Sequence, residues 1–220
     1  VILPCIGLGA AMFIMQSSES VIAMCFNSSL LRYGGDTAVG AMTILTSCMQ
    51  FAMLPLQGVA QGAQPIISYN YGARNASRVR ETFWLLLKVS LGYSVVLWAL
   101  LMAFPRVFAG IFTPNAALLD FTESALRVYC AVLGLFGIQV ACQMTFASLG
   151  KAKESAAVAI VRKFVLLIPL IYIMPQIFTA DRTMAVYMAE PAADILAITF
   201  TAVLFTLTFR RTLRQMEAEV

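Results

Sequence analysis

Glu19 stands in the run MQSSES (residues 15–20), a carboxyl among serines inside a stretch that is otherwise apolar. Near the middle of a bilayer a carboxylate costs about 3 kcal/mol to insert, so it needs a partner or a task. Gln16 lies three residues before it, and Ser17, Ser18 and Ser20 lie beside it; these groups can hydrogen-bond either protonation state. Two readings follow. Glu19 is a site whose occupancy by H+ or Na+ biases the shape of the protein, or it is a neutral acid bonded to a neighbouring helix. Glu190 and Asp194 form a second acidic pair, at i and i+4 on one helical face, with Pro191 between them removing the donor for a carbonyl one turn back. Two carboxyls and a free carbonyl can hold a cation; the same motif also suits contact with water near the membrane edge, or helix packing. Arg162 and Lys163 lie inside a further apolar stretch, where their long stems are expected to snorkel toward the headgroups.

Uncharged polar groups are also patterned. Gln57, Gln61 and Gln64 recur at i, i+4 and i+7, with Gln50 seven residues earlier on the same stripe. Four carboxamides facing lipid would be costly, so the stripe is expected to point at neighbouring helices or at a solvated cavity. Gln139 and Gln143, at i and i+4, give a later stretch a polar face that suits lining and packing equally. Pro55, Pro65 and the G-x-x-x-G of Gly58 and Gly62 imply a bendable helix that lets another approach closely.

The elements that must carry these residues are transmembrane helices. Apolar residues make up 60% of the chain and charged residues 12%, where a soluble domain would have about a quarter charged. The charges fall between apolar runs of about the length a spanning helix needs. Six spans are expected, at residues 3–30, 38–68, 82–104, 126–149, 156–178 and 184–209, an all-α polytopic bundle. The runs are continuous rather than alternating, which excludes a β-barrel. The second span should end near Asn70, with Tyr71 and Gly72 forming the turn.

Arg74, Arg78, Arg80, Lys151, Lys153, Arg210, Arg211 and Arg214 gather on one side of these spans, which places both chain ends in the cytoplasm by the positive-inside rule. Topology thus accounts for the net charge of +4, and no nucleic-acid partner is inferred. The five cysteines, at 5, 25, 48, 130 and 142, show no C-x-x-C spacing and read as packing residues. Histidine is absent, which removes the commonest general base and disfavours enzymatic chemistry. The sequence opens on Val1 and enters a span at once, so a chain cut from a longer protein is expected.

The run QGAQPIISYNYGARNASRVRE (residues 61–81) closely resembles the loop after the eighth span in the multidrug and toxic compound extrusion (MATE) family. RYGGD (32–36), LGKAKES (149–155) and AEPAAD (189–194) agree with that family in the same order. The resemblance implies two parallel six-span lobes, this chain being similar to the C-terminal lobe and the N-terminal six-span lobe being its missing partner. It further implies a secondary antiporter in a cell membrane, exporting drugs or metabolites, often cationic and amphipathic, in exchange for H+ or Na+ by alternating access. No cofactor beyond that ion is implied. Glu19 corresponds to a cation-linked acid, and Arg162 to an arginine able to pair with an acid across the bundle. There are departures. Ala147 stands where the family commonly has glutamine, and the fourth span has no mid-span acid, which makes a proton easier to reconcile than sodium. Two other readings are a lipid-linked saccharide flippase of the same superfamily and a non-transporting half-transporter scaffold. Candidate coupling residues are therefore Glu19, Glu190 and Asp194. Candidate cavity-lining residues are Gln16, Gln57, Gln61, Gln64, Gln139, Gln143 and Arg162.

Overall fold

The computed structural model describes the backbone of residues 2–218 and side chains of residues 18–218; the side chain of Gln16 lies outside the described residues. Every regular element among the described residues is helical. The first, α1 (Ile2–Gly72), is two helices joined at a sharp break. Its described, membrane-grade part from Ser18 to Gly72 has 55 residues, roughly 80 Å of straight helix against a hydrocarbon core of about 30 Å. Gly35 resolves the mismatch. Its φ of 63° and ψ of −160° are open essentially to glycine alone, and they turn the chain back into the bundle.

Two later side chains hold that corner. Thr183 Oγ1 donates to the Tyr33 carbonyl at 2.9 Å and Tyr187 OH to the Ala38 carbonyl at 2.6 Å. Both come from the start of α8 (Arg182–Ala218), the long helix that runs the full height of the bundle. The two arms of α1 thus run in opposite directions beside it: Ser18, in the first arm, lies near the middle of α8, whereas Ala60 and Ile67, in the second, share a core with Phe205 and Phe209 at its far end. Helix α1 continues through Gly72. The turn falls later than the sequence implies, at Ala73 and Arg74, where Arg74 takes a φ of 57°. Asn75 then caps α2 (Ala76–Ala103) by accepting from the Arg78 amide.

After α3 (Pro105–Gly110) and α4 (Ala116–Tyr129), the stretch expected as one continuous fourth span is bent. A short 3-10 turn at Leu133–Leu135 separates α4 from α5 (Phe136–Ser148), and the two segments meet at 45°. Helix α2 explains the bend. Gly137 lets α5 press on the backbone of Ser90 and Leu91, Gly134 lies under Trp98, and the Trp98 indole donates at 3.0 Å to the carbonyl of Ala131. The last cross-membrane stretch before α8 is also irregular: α6 (Ala152–Ile160), a π turn at Val161–Leu167, and α7 (Ile168–Ile177). Pro169 has no amide hydrogen and its ring crowds the carbonyl one turn back; just before it the Ile168 amide reaches Lys163 O, five residues back.

Four helical stretches among the described residues are long and apolar enough to cross a membrane, and the bent α4–α5 pair makes a fifth; the first of these contains the Gly35 corner. The chain is a multi-pass membrane protein. Its core has two parts, one around Phe26, Leu45, Leu101 and Tyr187, the other around Phe83, Phe146, Phe205 and Phe209. Side chains such as Leu85, Val203 and Leu207 face outward, as lipid contact allows. Gly58 and Gly62 are exposed with open space before them, so their small-residue face packs against nothing within this bundle.

Three kinds of glycine therefore give three outcomes. Gly137→Ala, which drives a methyl into backbone, is expected to cost about 1–3 kcal/mol, and Gly35→Ala a similar amount through strain alone. Gly58→Ala should be neutral or slightly stabilising, as a helix-interior alanine is favoured by about 1 kcal/mol. Thermal unfolding of the purified variants in detergent checks all three; a neutral Gly137→Ala would contradict the packing described.

Candidate functional site

The π turn places the chemistry. In an α-helix consecutive residues point about 100° apart, but the wider turn at Val161–Leu167 brings both Arg162 and Lys163 into contact with other elements of the bundle. Arg162 faces α8. Its Nη2 lies 2.8 Å from Glu190 Oε1 and its Nε lies 2.8 Å from Asp194 Oδ1, with all three side chains less than a fifth exposed. The planar guanidinium suits this bridge because its nitrogens diverge in fixed directions, one to each acid. The Phe136 ring, at the start of α5, covers the guanidinium carbon at 5.2 Å.

Lys163 faces the first arm of α1. Its ammonium approaches Glu19 Oε1 at 2.5 Å and donates to Ser18 Oγ at 3.1 Å. The two ends of this pair differ: the lysine side chain is 14% exposed, whereas the Glu19 side chain is 58% exposed. Arg162 and Lys163 do not snorkel. Carboxyls across the bundle are nearer than any headgroup, and pairing removes the cost of two buried cations. The cation held between Glu190 and Asp194 is accordingly the guanidinium of Arg162, with Pro191 buried between the two acids.

Two ion-pair groups therefore stand side by side through the adjacent residues 162 and 163. With every group ionised, the Glu19–Lys163 pair is neutral, and the enclosed Arg162–Glu190–Asp194 group keeps one negative charge over. The arrangement can thus accept one mobile cation, or one proton.

The glutamines separate into two groups. Gln50, Gln57, Gln61 and Gln64 are all exposed along the second arm of α1, so the stripe makes no interhelical seam within the lobe. Gln139 is buried in α5 and Gln143 is half-buried one turn on. The network thus unites Glu19, Glu190, Asp194 and Arg162, while the exposed glutamines form a separate surface. Sequence reasoning missed Lys163 as the partner of Glu19, and Phe136 as the cover of Arg162. The adjacency of two cations shortly before a proline was the available signal, but the π register that turns both inward depends on packing.

The fold is an all-helical bundle of membrane-spanning segments with paired charges buried in its interior. A family model described as MatE matches residues 11–173, most of the chain, and the chain belongs to that family. Among curated relatives, the multidrug export protein MepA of Staphylococcus aureus (strain NCTC 8325 / PS 47) is 26% identical over 172 residues, 78% of this chain and 37% of that protein. A solved structure of the MATE multidrug transporter DinF-BH is 38% identical, with a TM-score of 0.78 over 93% of this chain and 45% of its own. A MATE structure in the bent conformation shares the fold at a TM-score of 0.85 and 19% identity, over 92% of this chain and 44% of its own. The chain spans less than half the length of these relatives, the extent of one lobe.

Truncating Arg162 leaves Glu190 and Asp194 facing one another without their cation. Arg162→Ala is expected to destabilise by about 3 kcal/mol or more, and pairing it with Glu190→Gln and Asp194→Asn should restore much of the loss. Glu19→Gln leaves the buried Lys163 ammonium with Ser18 Oγ and the new carboxamide, and should cost less than Arg162→Ala because only one of the two partners in that pair is enclosed. Chemical denaturation of the parent and these variants checks the ordering, and an Arg162→Ala variant as stable as the parent contradicts a structural bridge.

Proposed function

We propose that this chain is the C-terminal lobe of a secondary antiporter that exports cationic, amphipathic drugs or metabolites in exchange for a coupling ion by alternating access. The Glu19–Lys163 pair, one partner exposed and the other buried beside the enclosed Arg162–Glu190–Asp194 group, carries this reading. A proton taken up at Glu19 releases a tie between helices. Protonation of Glu19 removes the attraction for Lys163, so the first arm of α1 loses its electrostatic hold on the π turn. A shape in which the two segments separate then becomes favoured, by the difference in proton affinity between the two shapes.

Glu19 is the group suited to exchange. It is the exposed acid of the three, whereas Glu190 and Asp194 are enclosed and share one guanidinium. A single carboxylate beside an ammonium suits H+ better than Na+, which seeks several oxygen ligands. Glu190, Asp194 and Arg162 then act as the fixed anchor against which that switch works.

The N-terminal lobe would cover the open side of this one. Gln57, Gln61 and Gln64 are exposed along the second arm of α1, and their carboxamides, with the half-buried Gln143 and adaptable methionines, would line a cavity that accepts varied apolar cations. The basic residues after α1 and α5 and late in α8 support a reading, by the positive-inside rule, in which both chain ends lie on the cytoplasmic side of a cell membrane. Multidrug relatives support the substrate class. A lipid-linked diphosphate substrate is less well served, because both cations deep in the bundle are already engaged by carboxylates.

The test uses the complete two-lobed transporter in membrane vesicles. Glu19→Gln is expected to bind drug yet lose export driven by an imposed pH gradient, falling to the level of vesicles without transporter. Lys163→Gln, which removes the tie that protonation releases, should lose gradient-driven export as well. Full gradient-driven export by Glu19→Gln would remove Glu19 from the coupling role.

A further inference from the structure

A second site lies some distance from the charge network. Between α2, α5 and α8, at the basic end of the bundle, is a groove of about 570 Å³. Asp194 and Phe205 are eleven residues apart on α8, roughly 16 Å along the helix, so the groove begins about three turns beyond the network. Its floor is aromatic. Phe83 stacks on Phe205 at 4.6 Å between ring centroids, Phe205 stacks on Phe209 at 4.8 Å, and Trp84 flanks Phe83 at 5.7 Å. Trp84 is half-exposed, on the side where Leu85, Val203 and Leu207 also face outward.

Its rim is cationic. Arg210 and Arg214 stand at i and i+4 on α8 and repel one another. Among the described residues no carboxylate pairs with either; Glu217, one turn on, is taken by Arg80 of α2 at 3.1 Å. Two adjacent guanidiniums above an apolar slot, at the boundary of the apolar span, call for an anion that carries a hydrocarbon chain. Water-facing arginines alone would need no slot, and a drug cation would be repelled by the rim.

We propose that this groove is a binding site for an anionic phospholipid of the adjoining leaflet. The phosphate bridges Arg210 and Arg214, whose planar forks match its oxygens. An acyl chain lies along Trp84, Leu87, Ile138 and Ala202, over the buried rings of Phe83, Phe205 and Phe209. The indole of Trp84 sits at the interfacial level usual for tryptophan. A zwitterionic lipid is discriminated against because its ammonium meets the same two arginines. Occupancy ties the end of α8 to α2, independently of which ion drives transport.

The sequence has two tryptophans, Trp84 at the groove and Trp98, bonded to Ala131, well away from it. Titrating the purified chain in detergent with phosphatidylglycerol brominated on its acyl chains, and with the equivalent phosphatidylcholine, reads the site through quenching. The glycerol lipid is expected to quench at a concentration about fivefold lower for each arginine engaged. That preference should vanish in Arg210→Gln/Arg214→Gln, persist in Arg211→Gln, and lose its signal in Trp84→Phe. Free glycerol phosphate should not displace the lipid. Equal quenching by the two lipids, a preference that survives the double variant, or one that Arg211→Gln removes equally, overturns the proposal. Displacement by glycerol phosphate alone would also overturn it, as that marks a simple anion site; circular dichroism confirms that each variant is helical.

Discussion

Everything in this lobe is arranged around the cost of an unpaired charge inside a bilayer. Arg162, Lys163, Glu19, Glu190 and Asp194 come from three separate stretches of chain, and none is tolerable alone in that setting. Their pairing joins the first arm of α1, the π turn and α8. A hydrophobic core between the same helices would hold them equally well in the membrane, but it would have no response to an ion. The two groups of ion pairs make helix association depend on charge state.

The local irregularities of the fold are consequences of the same demand. A regular α-helix through residues 161–167 would send Arg162 and Lys163 in directions fixed by a 100° step. The π turn ahead of Pro169 alters that step, and one side chain reaches α8 while the next reaches α1. The bend between α4 and α5 has a parallel effect. It sets Phe136 at the head of α5, over the guanidinium; the Ala131 carbonyl at the bend accepts from the Trp98 indole, and Gly137 packs closely on the Ser90 backbone. Departures from regularity in the spans therefore coincide with the places where polar chemistry must be positioned.

The surfaces of the lobe fall into distinct kinds. The second arm of α1 exposes carboxamides and small residues, and the first arm exposes Glu19, polar enough to want water or a partner. Another is apolar and suits lipid. At the basic end, the aromatic groove beneath Arg210 and Arg214 joins the two kinds in one place. That mixture is what distinguishes it from the surrounding lipid-facing surface, where apolar side chains stand without fixed charge.

Much of this was legible in the residues alone. Composition and the spacing of charges establish an all-helical membrane protein, because the bilayer permits few alternatives and penalises every polar group. The motifs RYGGD, LGKAKES and AEPAAD carry the family, and the i, i+4 spacing places Glu190 and Asp194 on one face. What the sequence left open was the partner of each charge. Glu19 read as a solitary acid among serines, and Lys163 as a snorkelling cation, because their attraction acts between residues 144 positions apart. Likewise a glutamine stripe declares a polar face but not what lies opposite it. Local spacing determines which side chains share a helix face; only the packing of helices, with its breaks at Gly35, at the α4–α5 bend and at the π turn, decides which faces meet.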